Sequence, residues 1–150
     1  MRLIHLTDPH LSTLDGQRFL KLRGKRRSGY LSWSRNRRHI HNPDVLKKLT
    51  QAIRAEEADQ VLLTGDLVHI GLDSEMAEAA GWLNKLGPPA TVMLIPGNHD
   101  NYARDSQQSM RHHWAEYLPK VSSNETEYTA GYPVNRDFNH LQIIGLNSAC

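Results

Sequence analysis

Short apolar runs alternate with longer amphipathic stretches along most of the chain. Arg2 to Thr7 (RLIHLT) reads as a first strand. Asn42-Pro43-Asp44 is a helix start, a capping side chain followed by a proline, and Val45, Leu46, Leu49, Ala52 and Ile53 continue it at helical spacing to near Ala58. Gln60 to Thr64 (QVLLT) is an apolar run of the kind buried on both faces of a parallel sheet. Ser74 to Leu86 reads as a second helix closed by Gly87-Pro88-Pro89, and Ala90 to Ile95 (ATVMLI) as a third buried strand. Ser106 to Tyr117 predicts a further helix, and Tyr132 to Phe138 with Leu141 to Asn147 predicts a hairpin turning near Asn139. The order strand, helix, strand, helix, strand predicts an α/β fold with a mainly parallel sheet flanked by helices.

Composition adds limits to this picture. A chain of 150 residues with 39% hydrophobic content is expected to form one domain with a real core, and it contains no internal repeat or low-complexity linker. The N-terminal MRLIHLTD lacks the long apolar region of a secretory signal, and no segment reaches the roughly 18 apolar residues of a membrane span, so a cytoplasmic location is expected. The only cysteine is Cys150, which excludes an intramolecular disulfide or a cysteine metal cage. A metal must then be held by His, Asp, Glu or Asn.

Charge is unevenly spread. Between Gly16 and Pro43 there are nine Lys/Arg and no acidic residue, so of the 18 basic residues nine are left against 16 acidic ones elsewhere, a formal −7. This basic insert, with Phe19, Tyr30 and Trp33 among its cations, suits contact with phosphates and some stacking, whether in a nucleotide, a nucleic acid or a phospholipid surface; a solvated face is the alternative.

Each of the three expected parallel strands ends in polar residues: Thr7-Asp8-Pro9-His10, Gly65-Asp66 and Gly97-Asn98-His99-Asp100. Ligands of open α/β sheets bind beyond the carboxyl ends of the strands, so Asp8, His10, Asp66, Asn98 and His99 are expected to meet in one crevice. Carboxylate, amide and imidazole donors without a thiolate favour Mn, Fe, Zn or Mg.

D-P-H-L at 8–11, G-D-L-V at 65–68 and G-N-H-D at 97–100, in that order and each after a strand, resemble the first signature blocks of the calcineurin-like metallophosphoesterase family. The resemblance implies a four-layer αββα sandwich with two divalent metal ions that hydrolyses phosphoesters. It implies that Asp8 and His10 bind the first ion, that Asp66 bridges both, and that Asn98 binds the second. His99 would stand outside the metal shell beside the phosphate, where a group titrating near neutrality suits proton transfer. Asp100 either orients His99 or caps a helix, and His69 is either a group behind the metal ligands or a helix-start or surface histidine. Arg35, Arg37 and Arg38 are the arginines of the insert expected to meet an anionic substrate. The family pattern continues with a further histidine and a Gly-His-x-His block that these 150 residues do not contain, so they are expected to be the N-terminal part of the catalytic domain. The expected activity is hydrolysis of a phosphodiester or nucleotide-type substrate; a DNA nuclease of the same superfamily and a non-catalytic anion-binding module are the alternatives.

Overall fold

A computed structural model describes residues 1–11, 13–40, 42–120 and 131–149; Cys150 and His41 lie outside the described residues. Strands β1 (Leu3–Leu6), β2 (Gln60–Thr64) and β3 (Val92–Ile95) form a parallel sheet in that spatial order. The register pairs Leu6 with Leu63 and Thr64 with Ile95, so all three strands end at the same edge.

The insert is helical, which its sequence did not announce: α1 spans Lys25–Ser32 and runs into a π-helical turn at Trp33–Arg37. Helix α2 (Pro43–Ala55) starts as expected, with Asn42 Oδ1 accepting from the Asp44 N–H at 2.9 Å. Its inward face is Leu46, Thr50 and Ile53, while Val45 and Leu49 are exposed, because a stripe at i, i+4, i+7 already covers the sheet. Helix α3 (Asp73–Leu86) buries Met76, Ala79, Leu83 and Leu86. Helix α4 (Arg104–His113) stops four residues short of the expected Tyr117. The fully buried Trp114 stops it there: its indole N–H donates to the Met76 carbonyl at 2.9 Å, holding the chain against α3.

Strands β4 (Val134–Phe138) and β5 (Leu141–Gly145) pair antiparallel as the expected hairpin. Val61, Leu63, Val92 and Leu94 join the helices in the main core. The alternate side of β3 meets the hairpin: a Cβ on Gly145 would lie 2.6 Å from Met93 and 3.0 Å from Ile95. Arg136 fastens this layer through its guanidinium to the carbonyls of Pro89, Ala90 and Val92. The described residues therefore stack as helices, parallel sheet and second sheet, the first three layers of the expected α/β sandwich.

A second, smaller core of Leu14, Leu22, Trp33 and Ile70 roots the insert. Trp33 is spent on this packing and is not available as a stacking surface, contrary to the sequence expectation. Arg26 adds a polar clamp: Nε donates to the Ile70 carbonyl at 3.0 Å, and Nη1 lies 2.6 Å from Asp105. That guanidinium holds the Asp105 carboxyl below its usual range. No helix among the described residues is long and apolar enough to cross a membrane.

Candidate metal centre

The segment after β1 extends the parallel ladder past the end of the strand. The amides of Asp8, His10 and Leu11 donate to the carbonyls of Gly65, Asp66 and Leu67 at 3.1, 3.1 and 2.8 Å. Two loops are thereby laced edge to edge, and ligand atoms of Asp8, His10 and Asp66 come within 4.8 Å of one another. The backbone is bent to do it. Asp8, His10 and Asp66 have φ of 51°, 41° and 52°, and Glu57 is the only other non-glycine with positive φ among the described residues. Each such residue costs on the order of 1–3 kcal/mol, and three at one locus mark strain held for a site.

The side chains are held as well. Nδ1 of His10 is 2.9 Å from the Val68 carbonyl, an acceptor only, so Nδ1 carries the proton and Nε2 the lone pair of the neutral ring. Asp66 Oδ1 accepts from the His99 N–H at 2.9 Å, and Thr7 Oγ1 sits 2.5 Å from Asp8 Oδ2. Two carboxylates and an oriented imidazole at this separation fit one divalent ion. Asn98 is exposed and lines, with Asp8, Asp66, Gly65 and Gly97, an open cleft of about 360 Å³ that is closed on one side by Leu146, Ser148 and Ala149. Asn101 donates to the Ala149 carbonyl at 2.6 Å and so holds that wall.

Gly65 and Gly97 are required by the close approach of these loops. A Cβ on Gly65, which has φ +91°, would lie 2.8 Å from Gly97 Cα; one on Gly97 would lie 2.5 Å from Asp66 N and strike Asp66 Oδ1.

His99 lies beside this group, with its ring 5.2 Å from His10 and perpendicular to it. Its Nδ1–H donates to the His69 carbonyl, so Nε2 is the ring atom turned to the insert, 3.5 Å from Arg37 Nη1. His69 is not at the surface. It is 2% exposed and its ring stacks on that of His10 at 4.7 Å, so it is a buried histidine behind His10 and not a surface one.

Asp100 neither orients His99 nor caps an exposed helix. Fully buried, it accepts from the N–H groups of Leu67 (2.9 Å), Val68 (3.2 Å) and Gly97 (2.8 Å), bracing the Asp66 loop against the Gly97 loop. Burial pushes its carboxyl up to about 7, with the nearby Asp66 adding to the rise and the three N–H bonds opposing it.

Of the three insert arginines, only Arg37 reaches the site; Arg38 pairs with Asp15 at 2.9 Å, and Arg35 is exposed. Glu75 escaped the sequence reading. Its buried carboxylate accepts from the N–H groups of His69 (2.8 Å), Ile70 (3.2 Å) and Leu72 (2.9 Å) and so shapes the loop whose carbonyl holds His99. An acidic residue in the first turn of a helix was the available signal.

The family model described as calcineurin-like phosphoesterase matches residues 1–148. With that match spanning nearly all of a chain whose three strand ends gather carboxylates and imidazoles at one edge, the chain belongs to the calcineurin-like phosphoesterase family.

Proposed function

We propose that the chain works with two divalent ions and hydrolyses a phosphodiester or nucleotide-type substrate with water as the nucleophile. The observation that carries this reading is the gathering of Asp8, His10 and Asp66 within 4.8 Å on three left-handed residues. Asp8 and His10 would hold one ion, Asn98 the other, and the Asp66 carboxylate would be shared. When bound, such a pair supplies an activated water and neutralises charge on the phosphoryl oxygens.

The protein's own groups do the rest. The His99 amide and the Gly97 close approach hold the Asp66 carboxylate in one orientation, so little reorganisation is left when substrate arrives. His99 Nδ1–H is committed to the His69 carbonyl, which leaves Nε2 to take up a proton and pass it to the departing oxygen. The Thr7 hydroxyl restrains Asp8. The absence of a thiolate donor in this set supports Mn, Fe, Zn or Mg as the ion.

The test is elemental analysis of the purified chain beside hydrolysis of bis-p-nitrophenyl phosphate and nucleotides, before and after chelation and return of Mn²⁺. Mn²⁺ uptake that chelator removes and dialysis restores is expected, weak because the further histidine-bearing block of the family pattern is not among these residues, with hydrolysis slow and following the metal. A chain that takes up no divalent ion after dialysis against Mn²⁺ refutes the reading.

A further inference from the structure

We propose that Arg37 is a phosphate-binding residue of this site, delivered to it by the π-helical turn of the basic insert. The inference rests on the phosphoesterase reading and adds a binding group that lies outside the three strand-end blocks.

The geometry begins with anchoring. Trp33 is 4% exposed, with its ring 5.7 Å from that of Tyr30 and 6.2 Å from that of His69, so the start of the turn is packed directly behind the imidazole that stacks on His10. The Arg38 N–H donates to the Trp33 carbonyl at 2.9 Å, five residues back, which closes the π-turn. One residue more per turn than an α-helix rotates everything that follows, and such turns recur at functional sites. The consequence here is a division of labour between neighbours: Arg38 turns to Asp15 and Arg37 turns to His99.

Charge separates these arginines further. Arg26 and Arg38 are each matched by a carboxylate, Asp105 at 2.6 Å and Asp15 at 2.9 Å. Among the described residues Arg37 is matched by none; its partner is the Nε2 of His99 at 3.5 Å, a long contact. A half-buried guanidinium beside a candidate metal group, held only by a ring nitrogen at the limit of hydrogen bonding, is poised to exchange that contact for an anion. The planar fork suits two non-bridging phosphoryl oxygens, giving paired charge-assisted bonds that the imidazole cannot match. The ligand class is therefore a phosphoryl group with at least two unesterified oxygens, which includes monoesters, diesters and inorganic phosphate.

The test is calorimetric titration of inorganic phosphate into the Mn²⁺-loaded chain, with Mn²⁺ content measured on the same samples. Arg37→Gln should weaken phosphate binding by about 10- to 100-fold, the worth of hydrogen bonds to a charged partner, with Mn²⁺ content unchanged. Arg37→Lys should recover only part, because it keeps the charge and loses the fork. Arg18→Gln removes the same charge from an exposed position of the insert and should change binding by no more than about twofold. If Arg37→Gln bound phosphate as the parent chain does, or no worse than Arg18→Gln, the inference would fall while the phosphoesterase reading stood. Loss of Mn²⁺ in Arg37→Gln would also overturn it, by assigning Arg37 a structural part. If the parent chain with Mn²⁺ bound no phosphate, the inference would fall, while the phosphoesterase reading would stand or fall on Mn²⁺ uptake.

Discussion

Replacing Gly97 by alanine tests whether the close pass of two loops is what orients the Asp66 carboxylate. The added methyl would sit 2.5 Å from Asp66 N and 2.9 Å from its Cγ, and would strike Oδ1. A carbon needs about 3.0 Å or more from such atoms, so the Asp66 backbone must retreat by about 0.5 Å. Metal–ligand distances tolerate roughly 0.2 Å, so the displacement exceeds what the site can absorb. Overpacking of this kind costs about 1–3 kcal/mol of stability, and a misdirected ligand costs about 10- to 100-fold in metal affinity. Gly81 provides the contrast: it is exposed within α3, a Cβ there meets nothing within 4 Å, and Gly81→Ala should stabilise by about 0.5–1 kcal/mol. The assays are urea denaturation and Mn²⁺ titration of both variants. A Gly97→Ala chain with the parent's unfolding midpoint and Mn²⁺ affinity would show that the Gly97 approach does not govern Asp66.

Three further outcomes are expected. Asp66→Asn should lose more Mn²⁺ by elemental analysis than Asp8→Asn or Asn98→Ala, because its oxygens are proposed to serve two ions. For Asp100, burial raises the folded pKa from 3.8 to about 7, so its contribution to the stability of the metal-free chain is full below about pH 4 and is lost as pH rises through about 7. Denaturation of metal-free Asp100→Asn should lack that component between those limits, and an unchanged pH profile would refute the assignment. Arg26→Ala should release the insert from Ile70 and Asp105 and speed limited proteolysis between residues 16 and 40, with the parallel sheet's unfolding transition retained.

Much of the frame was readable from local pattern. QVLLT and ATVMLI are continuous apolar runs between turn residues, and the Asn42-Pro43 cap is a local device, so their assignments required no knowledge of distant contacts. Helices α2 and α4 end about three and four residues before the apolar spacing predicts, because that spacing continues where the helix does not. In α4 the stop comes from Trp114 binding Met76, 38 positions away. The insert was legible as a charge anomaly and illegible as structure, since its helix is rooted by Leu14, Trp33 and Ile70 meeting across the chain.

The same division runs through the candidate site. By itself the sequence determined that Asp8, His10, Asp66, Asn98 and His99 follow strands, and strands joined in parallel must end at one edge; chain direction and pairing suffice for that. Only the tertiary structure decided that His69 stacks behind His10, that Asp100 braces the two loops instead of serving His99, and that Arg37, not Arg35 or Arg38, faces the site. Each of those outcomes depends on contacts with residues more than 30 positions away, and for the insert these are set by burial of Trp33 and Ile70, which carry no trace of it in their local sequence.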